Sequence, residues 1–482
     1  MNTSRRSLLK GAAAVAAGAT VSACGDGGDT TDTQAVNANK QHVTSDSQSI
    51  AGEMAIPADP TTQLLNHAHA LEVMEREGVD LLLCEDPVNV YYMTNIESVG
   101  SLIGMDGLSY AALSASSERK PTFIGNQIGY YFDASPESVT NSIDLRFYSS
   151  PADAELFAKI ENAKDLVAAP ANDGFILKQH TDYPQSHLES SRRKQIEVAA
   201  SEISASLDAA VLAEILETDL PNKTIAIDNL RLRALIERSG LDVRIVDGER
   251  LIRRIRLQKT PAEIEYMRYV AQANSNAALT AAKTVREGAT FRELRAEFAK
   301  QCGLRMCNAK YMMLDTHTPT LADGEFKDGR SLLMDCVSEF QGYHGDYGRT
   351  VCIGEPNRDM QAVIDTLSSV WDRILAELRP GFAYADIYGL ATRLFAESKV
   401  DAGFAVNPHS VGLHHSDEPN NADFATGFQK DNIVLTENMV LSVDMPVLDL
   451  GHGGTAHLED LVLIGKDGAE LINDTSNRFI MV

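Results

Sequence analysis

Two aspartates, Asp335 and Asp346, stand eleven positions apart in the stretch MDCVSEFQGYHGDYGRT (residues 334–350). "SLLMDCVSEF" reads as a strand whose end carries Asp335. The Gly342-Tyr343 pair reads as a turn, and "DYGRTVCIG" as a second strand beginning with Asp346. An antiparallel hairpin of this kind brings both carboxylates to the same end. Adjacent carboxylates repel unless something positive lies between them, and a divalent metal is the usual solution. Two carboxylates alone leave such an ion under-coordinated, so further oxygen and nitrogen donors are expected downstream. They are present: His409 in "NPHSVGLHHSDEP", Asp444 inside the apolar strand "LSVDMP", and Glu459 entering another strand in "AHLEDLVLIG". A charge within an apolar strand is costly unless it is paired or metal-bound. Each residue alone could be a salt-bridged strand position; five in order, all in strand contexts, point to a metal centre.

The elements that must hold these residues fall into two groups. From about Thr61 to Leu257 helical and strand patterns alternate: a helix over Leu64–Asp80 closed by Gly78, a buried strand opening "LLLCEDPVNVYYMT" and turning at Pro87, and a strand at Pro121–Asn126. A long amphipathic helix follows near Arg192–Leu216, then the strand "KTIAIDN", the helix "LRLRALIERSG" closed by Gly240, and the strand "LDVRIVDG". Such alternation predicts an α/β domain. At "QKTPAEIEYMR" the pattern changes: Thr260 as N-cap, Pro261 at the first helical position and Glu263 three residues after the cap form a capping box that opens a long helix and a second domain. That domain runs through "FRELRAEFAK", the carboxylate segment, helices over Met360–Leu378 and "YADIYGLATRLFAESKV", and a strand-rich stretch from Ile433 to the C-terminus.

At 482 residues and 44% hydrophobic the chain can bury the cores of at least two domains, and its formal charge of −25 argues against nucleic acid and anionic membranes as partners. A small-molecule or peptide substrate fits better. Residues 1–24 contain Arg5, Arg6 and a run of small apolar residues too short to span a bilayer, the pattern of a twin-arginine export signal. "VSAC" is similar to a lipobox, in which Cys24 would be lipidated. Residues 25–57, rich in Gly, Ser, Thr and Asp, read as a flexible tether. The expected location is periplasmic or a membrane-anchored lipoprotein. Cys84, Cys302, Cys307, Cys336 and Cys352 contain no CxxC pair and read as buried thiols, with a Cys302 to Cys307 bridge as the alternative.

The order Asp, eleven residues, Asp, His, acid, Glu resembles the ligand set of the pita-bread metallohydrolases, which include aminopeptidase P, prolidase, methionine aminopeptidase and the metal-free creatinase. "GVDLLLCEDPVNVYYMTN" is similar to the start of the creatinase N-terminal domain, "IRRIRLQKTPAEIEYMR" to the junction between the halves, and "HGDYGRT" to the second-aspartate motif. The resemblance covers nearly all of residues 60–480. It implies an α/β (α+β) chain: a creatinase-like N-terminal domain over 58–257 and a pita-bread catalytic domain over 258–482.

The resemblance further implies two divalent ions drawn from manganese, iron, cobalt or zinc. Asp335 would bind one, Asp346 and Glu459 would bridge both, and His409 and Asp444 would complete the second. It implies a metal-bridging hydroxide as nucleophile, Asp444 as proton shuttle, His317 in "DTHTPT" as oxyanion stabiliser, and a homodimer. Several positions depart from the pattern. Asp444 stands where Glu is usual, Ser416 where a second His is usual with His414 and His415 beside it, His457 where an Arg is usual, and Gly348 where Thr is common. The leading expectation is a metal-dependent Xaa-Pro aminopeptidase or dipeptidase, with His415, His457 and Asp417 at the substrate. The alternatives are a creatinase-like amidinohydrolase, a metal-dependent dimethylsulfoniopropionate lyase using Asp417 as base, or a non-catalytic scaffold.

Overall fold

The computed structural model describes residues 54–58, 62–133, 141–149, 162–169, 203–423, 427–448 and 450–482, with a few positions between 171 and 194. Arg5, Arg6, Cys24 and most of the expected tether lie outside these residues, and among the described residues no helix is long and apolar enough to cross a membrane. The described residues form one compact unit.

The first half is built on a six-stranded mixed sheet. Its strands are β1 (Leu81–Cys84), β2 (Tyr110–Ser114), β3 (Thr122–Asn126), β4 (Asp144–Tyr148), β5 (Thr224–Ile227) and β6 (Arg244–Asp247), in the order β4-β3-β2-β1-β5-β6. Helix His67–Glu77 ends on Gly78, whose left-handed φ of 64° lets its N–H close back on Glu75 and Met74. Two expectations need correction. The strand ending at Cys84 is followed by a helix, Pro87–Thr94, because Asp86 caps it and Pro87 occupies its first turn. The long helix expected over Arg192–Leu216 is interrupted: Arg193 and Lys194 are helical, but Ser204 bridges Tyr148, and a separate helix capped by Ser206 runs over Leu207–Glu217; residues 195–202 lie outside the described residues.

The second half opens at Thr260, where both hydrogen bonds of the capping box are made, and helix Pro261–Ala282 packs along a four-stranded sheet. That sheet has the order β17-β9-β8-β7, with β7 (Asn308–Leu314), β8 (Ser331–Phe340), β9 (Tyr343–Cys352) and β17 (Phe479–Met481). Gly345 lets the helix approach: a Cβ there would lie 2.6 Å from the Val270 carbonyl oxygen. A second sheet joins β10 (Asn407–Ser410), β13 (Val440–Val447), β15 (Leu461–Ile464) and β16 (Ala469–Leu471), with β14 (Ala456–Leu458) also paired to β13. Strands β11 (Asn420–Asp423) and β12 (Gly427–Lys430) form a separate ribbon. Helices Arg358–Glu377 and Tyr384–Ser398 pack on this half around the buried Trp371.

The five described cysteines are free and buried, Cys302 and Cys307 included, so the bridge between them is not made.

Glu263 is both a cap and a core residue. One carboxylate oxygen accepts from the Thr260 N–H and the other from the Tyr343 hydroxyl, and only 1% of the residue is exposed. Burial pushes its pKa up to about 7, against the opposing charge of Lys259. Because the folded value lies above the usual 4.5, its contribution to stability is full below about pH 4.5 and is lost as pH rises through 7. Glu263→Gln cannot ionise and keeps an acceptor for the cap. Its stability relative to the wild type should therefore rise by roughly 2–3 kcal/mol between pH 4.5 and 8 in urea titrations. A pH-independent difference would show that Glu263 stays charged in the fold.

Candidate metal centre

The carboxylate hairpin turns through Gln341 and Gly342, with φ of 51° and 79°, the paired left-handed residues of a tight two-residue connection. The turn thus lies one residue earlier than expected, and β9 starts at Tyr343 rather than Asp346. In register, Asp335 pairs with Gly348 and Asp346 with Val337. The aspartates accordingly sit in mid-strand on one face, two positions apart along the ladder, rather than at strand ends. On β10 and β13, Asn407 opposes Asp444 and His409 opposes Ser442, which places these four on one face as well. Glu459 follows β14, and its backbone makes an isolated antiparallel bridge to Gly348. The second sheet therefore delivers its donors directly onto the hairpin.

All five expected ligands converge. His409 Nε2 lies 3.4 Å from Asp346 Oδ2, 3.5 Å from Asp444 Oδ2 and 3.9 Å from Glu459 Oε1. The donors group into three overlapping sets: Asp346, His409, Asp444 and Glu459; Asp335, His457 and Glu459, joined to the first through Glu459; and Asp346, His409 and His415. His415 Nε2 also approaches Asp346 Oδ2, at 3.1 Å. Asp335, Asp346, His409 and Glu459 are buried, whereas the Asp444 side chain is 19% exposed.

The electrostatics describe a site short of positive charge. Burial, together with the charges of Asp346 and Asp444, pushes the Asp335 and Glu459 carboxyls well above the usual range. Asp346 is held well below it, because the charges of His415 and His409 outweigh its burial. His409 is buried too, yet the flanking Asp346 and Asp444 push it up to about 10. Asp335 Oδ1, both carboxylate oxygens of Asp346 and His409 Nε2 are buried without a hydrogen bond of good geometry. Orphaned carboxylate oxygens and an imidazole around one centre fit divalent metal, which would displace the protons they otherwise hold.

The remaining expected residues divide. His317 is exposed and is fixed through its backbone, its carbonyl accepting from Arg295, so it is not among the converging donors. Asp417 needs correction: it is 1% exposed and bound by Arg256 and Lys259, and so cannot face a substrate or serve as a base. Despite burial, these two cations hold its carboxyl well below the usual range. His414 contacts Arg256 in the same cluster, while the next residue, His415, turns to Asp346.

Three partners were not anticipated. Ser442 Oγ donates to Glu459 Oε1 at 2.5 Å, Asn407 Nδ2 donates to Asp444 Oδ2 at 2.9 Å, and the Tyr311 hydroxyl lies 3.1 Å from His415 Nε2. Ser442 and Asn407 stand two residues from Asp444 and His409, a strand alternation that could have flagged them.

Residues 265–466 match the model of metallopeptidase family M24. An Xaa-Pro dipeptidase of Pyrococcus furiosus is 24% identical over 241 residues, 48% of this chain and 67% of that protein. A probable dipeptidase PepE of Mycobacterium tuberculosis is 24% identical over 241 residues, 48% of this chain and 62% of that one. The match thus spans about two thirds of the length of these relatives. Among solved structures, a prolidase from Pyrococcus horikoshii has a TM-score of 0.58 at 17% identity, covering 86% of this chain and 99% of that one. An X-Pro aminopeptidase from Thermotoga maritima has a TM-score of 0.58 at 16% identity, covering 85% and 99%. The two sheets that carry the converging side chains lie almost entirely within the residues that match the metallopeptidase family M24 model, and the fold is the pita-bread fold of those neighbours.

Proposed function

We propose that this protein is a two-metal exopeptidase acting on Xaa-Pro peptides, most simply as a dipeptidase. The observation that carries the reading is the pair of donor sets sharing Glu459, with Asp346 poised between His409 and His415. Divalent ions held there would activate water and polarise the scissile carbonyl. Asp444, the one ligand with an open edge, can pass a proton to the leaving amine, and Asn407 on its Oδ2 fixes its orientation. His415, one third exposed and oriented by Tyr311, can donate to a developing oxyanion, the role first expected of His317.

Metal-loaded protein should split an Xaa-Pro dipeptide, with manganese supplied, and lose that activity in EDTA. If a small amidine or sulfonium compound is turned over while Xaa-Pro dipeptides and longer Xaa-Pro peptides are not, the peptidase reading fails. The lyase alternative has lost the base assigned to it, since Asp417 is occupied by Arg256 and Lys259.

The proposal includes export by the twin-arginine route with a lipid anchor at Cys24, motivated by Arg5 and Arg6. Changing both arginines to Lys should retain the protein in the cytoplasm, and normal fractionation of that variant would remove the signal. It also includes a homodimer; a mature protein that sediments at the mass of a single chain would speak against it.

A further inference from the structure

Two departures noted separately in the sequence, Gly348 and His457, meet in space. The His457 ring lies directly over Gly348: a Cβ on that glycine would stand 2.1 Å from the ring's Cδ2 and 2.2 Å from its Nε2. Any other residue at 348 would evict the imidazole. The backbone of His457 is fixed on both sides by one hydroxyl, Thr350 Oγ1 accepting from its N–H at 2.8 Å and donating to its carbonyl at 2.9 Å. The residue is 2% exposed, which leaves little access to a substrate. Its Nδ1 is buried without a hydrogen bond, and Nε2 is the nitrogen facing the carboxylates. That atom is 3.0 Å from Glu459 Oε2 and 3.9 Å from Asp444 Oδ1.

The spacing has a direct reading. Two donors about 2.1 Å from a common ion, at right angles to each other, lie about 3.0 Å apart. Asp335, His457 and Glu459 form a donor set of their own, parallel to the set containing His409. We infer that His457 Nε2 is a sixth protein ligand, completing the metal position of Asp335 and Glu459, so that each of the two ions carries one imidazole. The inference rests on the two-metal reading above and changes its chemistry. An all-carboxylate position accepts manganese readily, whereas an added imidazole favours zinc, iron or cobalt. A position shaped in this way gives the ring a structural cradle in Gly348 and no role as a substrate cation.

The test uses purified protein loaded with two equivalents of zinc and X-ray absorption at the zinc edge, which counts imidazoles per metal without reference to activity. Wild-type protein should show at least one imidazole per zinc. His457→Gln should lower the average by one half per zinc and weaken retention of one ion by about 10-fold or more. Gly348→Ala keeps the histidine in the chain but fills its cradle, and should give the same loss. An unchanged imidazole count in His457→Gln protein that still holds two zincs overturns the inference and leaves the five-ligand centre standing. So does a wild-type count below one per zinc, whether or not the variants fold. Wild-type protein that takes up no zinc overturns the centre itself, and the inference with it.

Discussion

Asp346→Ala is expected to remove most of the bound divalent metal and to lower peptidase activity by more than about 100-fold, beyond the cost of losing an outer-sphere partner. Asp346 touches both His409 and His415, is fully buried, and has neither carboxylate oxygen in a good hydrogen bond. No neighbouring side chain can replace it, because Asp335 is directed to the other donor set and Val337 is the residue opposite. The metal-free fold should survive, since the change removes one of several crowded buried carboxylates rather than an isolated partner. Elemental analysis and circular dichroism on the same sample separate the two effects. Retention of the full metal content by a folded variant would show that the ligands have been misassigned.

Asp417→Asn is expected to destabilise the protein by about 3–5 kcal/mol, the range found when one member of a buried ion pair is neutralised. Arg256 and Lys259 are fully buried, and both converge on this carboxylate. Neutralising it leaves two cations without a counter-charge. Arg256 also bonds Asn89, which in turn donates to Asp228 and Glu249, so the cluster ties the first sheet's helices and loops to the loop carrying His414 and His415. The substitution should lower the urea midpoint and reduce activity together, through displacement of His415. Wild-type stability in that variant would mean that the cations find other partners. Unchanged activity in a destabilised variant would uncouple the cluster from the centre.

What the sequence disclosed was local chemistry. The capping box at Thr260 is satisfied by residues three apart, Asp335 and Asp346 stood out by their spacing across a hairpin, and Asp444 and Glu459 by their charge in apolar strands, so these readings needed no long-range information. Long-range pairings left little trace. Nothing near Asp417 in the chain reveals Arg256, more than 150 residues upstream, so an acid beside two histidines looked available for catalysis. Strand β7 escaped notice because its first three residues are exposed and its alternation is broken by an irregularity between Ala309 and Tyr311. Tyr311 was lost with it. The position of the hairpin turn was misread by one residue because the Gln341 backbone is left-handed, a conformation not expected of Gln.

That turn also ranks the ligands by when they can arrive during folding. Asp335 and Asp346 are joined by a connection short enough to close in microseconds, whereas His409, Asp444 and Glu459 reach them only by closing loops of tens of residues. A refolding chain therefore presents an all-oxygen pocket first, the kind that abundant hard cations such as magnesium or calcium can enter. The imidazoles come later, with the second sheet.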